Sequence, residues 1–473
     1  MLFVRAVRLL SDRSEYFIGG FVMSFMIAFG WASVMLCIGM VLRAKIPFFR
    51  NMLVPASVIA GLLGVVFMNV VPALGIQLGT DGDMFSNIVN NLFTVSFISI
   101  SLTSTPKSEE SNAKNVVKGA LALGLIWCLL YALTPLIATG LVAIFGKSVE
   151  MNPIYGMLIQ FAFCQGPGQS AAYGAIFEQF GWPNSAMVAM TFASIGFVVA
   201  FFVGIPAAKA GIKKGLAKNC GKLDDTILKG YLTKEEQTEY MVKDTTVNSN
   251  IETLAFHFAL IGVCYVVALG IGKILGKIPG FMGQSMSAMM FMNGMYAAYI
   301  VKALMKKLNL DFLQENVLQS KITGWTADYL VVCAFMAVSV NVISKWLLPI
   351  IVVSVVITVV TFVVCFYFGQ RIGGSNDFER TLGIYGTCTG TVPSGIALVR
   401  IVDPNFRTTT SVELGACNLT MLASTPVYLI ILAFASGTIQ IGLSCGLLAV
   451  CVVVYLIALK LTRCWGKKTF SWK

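Results

Sequence analysis

Apolar stretches of about twenty residues recur along this chain, and their length restricts its fold more than any other feature. The first covers residues 17–42, and similar stretches follow at intervals as far as residue 461. A helix rises about 1.5 Å per residue, so about twenty apolar residues cross the hydrocarbon core of a bilayer. The chain is therefore predicted to be an all-α polytopic membrane protein embedded in a lipid bilayer.

We predict about eleven crossings in two sets, separated by a polar break. The first set comprises spans at residues 17–42, 53–72, 88–104, 116–145 and 186–209. The second comprises spans at residues 254–275, 284–304, 326–345, 347–369, 411–435 and 438–461. The first stretch is too long for a signal-peptide core and has no clear small-residue cleavage site, so we expect it to be retained.

Composition excludes several classes of function. Only 12% of the residues are charged, about half the share typical of a soluble domain, and the net charge is +12. In a polytopic protein such an excess reflects basic cytoplasmic loops, so no nucleic-acid partner is predicted. The twelve cysteines form no CxxC pairs and His257 is the only histidine, so we expect no metal centre and no cofactor. No nucleophile is paired with a base, and an enzyme is not expected.

The distribution of basic residues orients the spans. The break at residues 210–250 opens with four lysines close to the preceding span, which predicts a cytoplasmic linker. Residues 436–473 are predicted to form an extra span and a basic tail, and counting crossings puts that tail on the cytoplasmic side and Asp81 outside. We expect a multi-pass protein of the inner or plasma membrane. Arginines at the N-terminus would then lie outside, so residues 1–16 are interpreted as a basic amphipathic segment in the interface.

Two apolar stretches, residues 154–184 and 382–405, do not make good straight spans. Their centres read "CQGPGQS" and "GTCTGTVPSG", with helix-breaking Gly and Pro in the middle of each. Non-helical backbone at membrane depth is tolerated where it is buried in protein or lines a cavity. Each stretch is predicted to be a re-entrant hairpin of two half-helices.

The two hairpins also define an internal repeat. When "FCQGPGQS" is aligned with "TCTGTVPS", Cys164 meets Cys388, Gly166 meets Gly390 and Ser170 meets Ser394. An odd number of predicted crossings separates the equivalent elements, so the repeats at 17–209 and 251–435 would be inverted. Inverted repeats with interrupted segments in corresponding positions are typical of secondary transporters, which bind substrate where those segments meet.

The broken helix ends suggest the chemistry of the site. The N-terminal end of a half-helix carries partial positive charge and suits a carboxylate, whereas unwound carbonyls suit sodium. The candidate substrate-binding residues are Gln165, Gly166, Pro167, Gly168, Gln169, Ser170, Thr389, Gly390, Thr391, Pro393, Ser394, Arg400 and Asn418. The candidate sodium ligands are Ser99, Ser101, Thr387, Cys388, Ser339 and Asn341.

The sequence leaves two questions open, the role of Arg400 and the choice between a transporter and a channel. Arg400 either pairs with a distal carboxylate of the substrate or extends to the cytoplasmic surface. The "TCTGT" run resembles a carbonyl-lined channel filter, so a cation channel is an alternative function. A tetrameric filter repeats one loop around an axis, whereas two unlike loops in one chain favour a transporter.

At these residues the sequence resembles the bacterial sodium–glutamate symporters. The resemblance rests on the glycine-rich hairpins, on the stretch from Ala171 to Lys209 and on "VPASVIAGLL" from Val54 to Leu63, and covers about residues 25–435. It implies a homodimer with inverted five-helix repeats and an elevator-type, sodium-coupled uptake of glutamate. The family's first loop usually reads Gly-Gly-x-Gly, whereas this chain has Gln165 and Pro167. A related small anionic amino acid or carboxylate, or a different organic anion, is therefore an alternative substrate.

Overall fold

The computed structural model describes residues 2–51, 54–103, 113–217, 244–247, 249–279, 281–403 and 407–471. Within these ranges the structure describes the backbone alone at residues 2–22, 51, 113–114, 281–282, 285, 342, 418–419 and 421. The regular structure in the described ranges is helical, with no β-strand among them, which confirms the all-α fold class.

The described residues of the first half form eight α-helices and two short 3₁₀ segments, of which Pro153–Leu158 belongs to the site described below. The helices and this segment are α1 (Leu2–Lys45), α2 (Pro47–Asn51), α3 (Ala56–Ala73), α4 (Gly82–Leu102), α5 (Ala113–Phe145), the 3₁₀ segment Pro153–Leu158, α6 (Ile159–Phe163), α7 (Pro167–Gln179) and α8 (Ser185–Lys213). Asp81 caps α4, because its side chain accepts a hydrogen bond from the Met84 amide at 2.9 Å. The backbone of residues 2–16 continues into the first span as one helix, and Lys218 and Lys222 lie outside the described residues.

The described residues of the second half form eleven α-helices. They are α9 (Thr253–Leu275), α10 (Phe281–Ala288), α11 (Met290–Lys307), α12 (Asn316–Met336), α13 (Val340–Ile343), α14 (Leu347–Gly369), α15 (Asp377–Thr389), α16 (Val392–Val402), α17 (Thr410–Thr420), α18 (Thr425–Ala435) and α19 (Ile441–Leu461). The Glu252 side chain caps α9 by accepting a hydrogen bond from the Ala255 amide at 3.0 Å.

Nine helical stretches of the described chain are long and apolar enough to cross a membrane. They are Met23–Lys45, Ala56–Ala73, Gly82–Leu102, Asn115–Phe145, Ser185–Lys213, Thr253–Leu275, Ser344–Gly369, Thr410–Ala435 and Ile441–Leu461. Two further helices, α11 and α12, overlap predicted spans but are less apolar. The fold is that of a polytopic membrane protein.

The span predicted at 326–345 differs most from the structure. The helix there is α12, which begins at Asn316 and ends at Met336. The chain breaks after α12 because Asn69 of α3 pairs with its backbone, donating to the Val338 carbonyl at 2.9 Å and accepting from the Val340 amide at 2.7 Å. A side chain from a distant helix ends α12, and local sequence pattern does not reveal it.

The helices pack with corresponding neighbours in the two halves. In the first half α1 packs along α3, and in the second half α9 packs along α11. The halves also exchange contacts, since α3 packs against α12 and α11 packs against α4, while α4 and α12 make the most extensive contact in the molecule. A second group, formed by α5, α8, α14 and α17, surrounds the broken helix pairs α6–α7 and α15–α16, and α19 packs along α5.

The segment after α19 returns to the turn between α14 and α15. The Gly466 amide donates to the Arg371 carbonyl at 2.8 Å, and the Thr469 amide donates to the Gln370 carbonyl at 2.8 Å. The Thr469 hydroxyl also donates to Asp377 Oδ2 at 2.8 Å. The last span and its tail are therefore attached to the start of the second interrupted segment.

Candidate functional site

Both stretches predicted as hairpins are helices broken in the middle. The first interrupted segment, Pro153–Gln179, breaks between α6 and α7 at Gly166, whose φ of 75° and ψ of −164° are accessible almost only to glycine. Pro167 follows as a first residue of α7, the helix position that tolerates proline best. The second interrupted segment, Asp377–Val402, breaks between α15 and α16 at Gly390 and Thr391.

The two breaks touch each other inside the molecule. A Cβ added to Gly166 would lie 2.5 Å from Cγ2 of Thr391 and 3.0 Å from the carbonyl oxygen of Gly390. The Cys388 thiol also interacts with the Cys164 thiol. The sequence motifs "CQGPGQS" and "GTCTGTVPSG" therefore meet at one place, which we call the junction.

Four helix ends converge on the junction. The N-terminal ends of α7 and α16 lie there, as do the C-terminal ends of α6 and α15. The first amides and the last carbonyls of a helix have no intrahelical partners and carry partial charges of opposite sign. The junction can therefore offer backbone donors to an anion and backbone acceptors to a cation.

Most hydroxyl groups near the junction bond to their own helices. The Ser170 hydroxyl donates to the Gly166 carbonyl at 3.0 Å, Thr387 to the Gly383 carbonyl at 2.8 Å and Thr389 to the Tyr385 carbonyl at 2.8 Å. The Thr391 and Ser394 hydroxyls lie 3.4 Å apart. Among the predicted substrate-binding residues at the breaks, Gln165 and Thr391 are half-buried and Pro393 is exposed, so these three are the most accessible to a ligand.

Helix α5 supports the first break with two aromatic side chains. The Trp127 indole donates to the Cys164 carbonyl at 2.8 Å, which satisfies an acceptor that the broken helix leaves open. Tyr131, stacked on Trp127 at 4.5 Å between ring centroids, donates to Oε1 of Gln169 at 3.5 Å. Neither residue was predicted from the sequence, although their spacing of four on an apolar helix places them on one face.

An aromatic cluster packs against the first segment. Phe161 stacks on Tyr173 with 3.9 Å between ring centroids, and Phe291 of α11 lies 6.2 Å from the Tyr173 ring. Phe93 of α4 lies 5.1 Å from Phe291 and occupies the space where a Cβ on Gly168 would point. The cluster brings residues of α4 and α11 into contact with the first interrupted segment.

The predicted sodium ligands fall into separate regions. Thr387 and Cys388 lie on α15 beside the junction. Ser99 instead belongs to the contact between α4 and α12, where Gln319 Nε2 and the Thr323 hydroxyl each donate to its oxygen at 2.9 Å. Buried Ser101 lies near the same end of α4, and Ser339 and Asn341 lie beyond the opposite end of α12. Within the described ranges, no hydrogen bond joins these last four residues to the junction.

Two predicted substrate-binding residues lie away from the breaks. Arg400 lies in the last turn of α16, where its side chain is exposed. Asn418 is on α17, and its side chain lies outside the described residues.

A buried charge cluster at the start of the second segment was missed by the sequence analysis. Arg380 donates to both carboxylate oxygens of Glu413, with Nη2–Oε1 and Nε–Oε2 distances of 2.6 Å and 2.7 Å, and to Asp377 at 3.0 Å. All three side chains are at most 4% exposed. The pairing joins α15 to α17, and because Arg380 and Glu413 are 33 residues apart, no local sequence pattern predicted it.

Interrupted helices whose ends meet within an apolar bundle define a membrane transport protein. A family model described as sodium/glutamate symporter matches residues 21–408, which is most of the chain. The chain belongs to the sodium/glutamate symporter family, and its function class is transport rather than catalysis. Curated relatives named sodium/glutamate symporter, from Escherichia coli (strain K12) and Shigella flexneri, are each 22% identical over 382 residues. Each match covers 79% of this chain and 88% of the relative.

Proposed function

We propose that this chain takes up glutamate, or a closely related small anionic amino acid or carboxylate, together with sodium ions. The observation that carries the proposal is the contact between Gly166 and Thr391, which joins the two broken helices in one site. Substrate carboxylates would face the N-terminal ends of α7 and α16, with Gln165 and Thr391 as neutral side-chain partners. Sodium would bind to carbonyls at the ends of α6 and α15.

We further propose that the two halves are inverted repeats and that each interrupted segment is a re-entrant hairpin. The matching neighbours of α3 and α11 support the repeat. In an elevator-type movement, the group containing α5, α8 and the junction would move against the group containing α1, α3, α9 and α11. The aromatic cluster around Tyr173 would lie at the sliding surface, because it contains residues from both groups.

A homodimer is part of the proposal. Asp328 lies about 18 Å along α12 from its first residue, which is near the middle of a bilayer. Its side chain is exposed on the surface of the chain and interacts with Ser57. A carboxylate at this depth is costly against lipid, and a second copy of the chain would cover it.

We also propose that the protein lies in the inner or plasma membrane of the cell. The linker and the C-terminal tail would then face the cytoplasm.

Transport in proteoliposomes tests the proposed function. Uptake of radiolabelled glutamate, aspartate and dicarboxylates is measured with an inward sodium gradient and with the gradient replaced by choline. Sodium-dependent accumulation of at least one of these anions is expected. Accumulation without sodium dependence would contradict the proposal, and ion currents without substrate would favour the channel alternative.

A different organic anion is a second candidate substrate. It is favoured by Gln165 and Pro167, which replace residues of the family's usual loop and lie at the first break. Competition of labelled glutamate uptake by a panel of unlabelled organic anions distinguishes the two.

A further inference from the structure

A cavity of about 560 Å³ lies between the end of the first interrupted segment and the turn that joins α9 to α10. Its lining includes Gln179, Lys277, Gln284 and Ser287. The volume falls within the range of pockets that bind small molecules, roughly 300–1,000 Å³. None of these residues belongs to the junction, so the cavity is a separate feature of the molecule.

The charge of this cavity favours an anion. Lys277 is the charged residue of its lining, and the other polar side chains are neutral amides and a hydroxyl. No salt bridge to Lys277 occurs within the described part of the chain, and its side chain is exposed. Of the acids nearby, Glu178 accepts a hydrogen bond from the Ala186 amide at 3.0 Å and is thereby held toward α8, and Asp83 interacts with Glu178 outside the cavity lining.

The walls of the cavity are held in place by the backbone. Asn293 of α11 donates to the Met286 carbonyl at 3.1 Å, which fixes the end of α10, and the Lys277 amide donates to the Ile274 carbonyl at 3.1 Å. Lys277 therefore projects from the fixed end of α9.

The cavity lies on the outer face under the topology given by the basic residues. Lys213 and Lys214 follow the end of α8 on the cytoplasmic side, and Gln179 precedes the start of the same helix, at its opposite end. The cavity lining is also next to the aromatic cluster along the chain. Its lining residue Ala288 is followed by Met289, whose sulfur accepts a hydrogen bond from Tyr173 at 3.8 Å, and α7 runs from Tyr173 back to the junction.

We infer that this cavity is an outer capture site for the anionic substrate, with Lys277 as its cation. The inference rests on the proposed function and adds a second binding position to it. The substrate carboxylate pairs with Lys277, the amides of Gln179 and Gln284 bind its remaining polar groups, and the aromatic cluster separates it from the junction. A cationic outer site raises the local concentration of anions and so lowers the KM for uptake without changing the maximal rate.

The test is the KM of the Lys277→Gln variant for a labelled anion that the wild-type protein takes up in proteoliposomes. We expect KM for uptake from outside to rise roughly three- to tenfold at low ionic strength, with an unchanged maximal rate, because one steering charge is lost. The difference should shrink in high salt, which screens exposed charges. The control is Lys273→Gln, one turn earlier on α9, exposed and outside the cavity lining.

The outcomes separate the inference from the proposed function. If the wild-type protein takes up none of the anions, the proposed function fails. If wild-type uptake is normal but Lys277→Gln and Lys273→Gln have the same KM, the capture site fails alone. An equal rise in KM for transport from the cytoplasmic side would also overturn it, since the cavity opens on the outer face.

Discussion

Gly166 packs so closely on Thr391 that a single added carbon would lie 2.5 Å from the threonine methyl group. The two residues are 225 positions apart in the sequence, so the site depends on how the halves of the chain fold together. The backbone of Gly166 also lies in a region that other residues enter only at a cost of roughly 1–3 kcal/mol.

Replacement of Gly166 by alanine is expected to reduce the maximal rate of sodium-driven uptake at least about tenfold, because it adds both backbone strain and a clash with Thr391. The Gly181→Ala variant is the control, since Gly181 also has a positive φ, of 92°, but open space around it. Adding Thr391→Ser to Gly166→Ala removes the clashing methyl group and should restore part of the rate. Equal activities of the Gly166→Ala and Gly181→Ala variants would contradict the contact.

The Trp127→Phe variant should impair transport, because it disturbs the backbone at the first break. It leaves the buried Cys164 carbonyl without its donor, a loss of about 1–3 kcal/mol. We expect a weaker apparent sodium affinity, measured from the sodium dependence of uptake. Trp31→Phe removes a comparable indole hydrogen bond, to the Leu78 carbonyl at 3.2 Å in the other helix group. It should leave sodium affinity unchanged, and an identical effect of both variants would indicate a general packing defect.

Arg380→Met should destabilise the protein strongly, because Glu413 and Asp377 then stay buried without their cation. Breaking a buried pair in this way costs about 3–5 kcal/mol. The measurement is the melting temperature of the detergent-purified protein. Arg380→Met combined with Glu413→Leu removes one orphaned charge and should melt at a higher temperature than Arg380→Met alone. Arg407→Met, at an exposed position, is the control and should melt like the wild-type protein.

Uptake of a monoanionic substrate should be electrogenic, with at least two sodium ions per substrate. One sodium ion would make the complex neutral, and the membrane potential would then contribute nothing to accumulation. A second ion adds about 2.3 kcal/mol per 100 mV, which is roughly a fortyfold increase in accumulation. The dependence of uptake on the membrane potential is measured in proteoliposomes with an imposed, inside-negative potassium diffusion potential. Rates independent of the potential would exclude the second ion.

Sequence pattern was sufficient for the elements whose signal is local. The apolar runs predicted the spans because the bilayer requires long apolar helices, and the runs around Gly166 and Gly390 predicted interruptions because Gly and Pro break helices locally. Ser99 shows that sequence pattern does not predict which partner a polar side chain has. A hydroxyl within an apolar helix can face an ion or a neighbouring helix, and Gln319 and Thr323 occupy the Ser99 oxygen.

The sequence by itself determined that this chain is a helical membrane protein of the sodium/glutamate symporter type, with two broken helices near Gly166 and Gly390. Hydropathy and helix breaking act over a few residues, so they can be read directly from the chain. Only the tertiary structure decided that Gly166 touches Thr391, that Arg380 is buried against Glu413, and that Lys277 faces a cavity beside Gln179. These relationships join segments far apart in sequence, and packing between helices, which no local pattern encodes, brings them together.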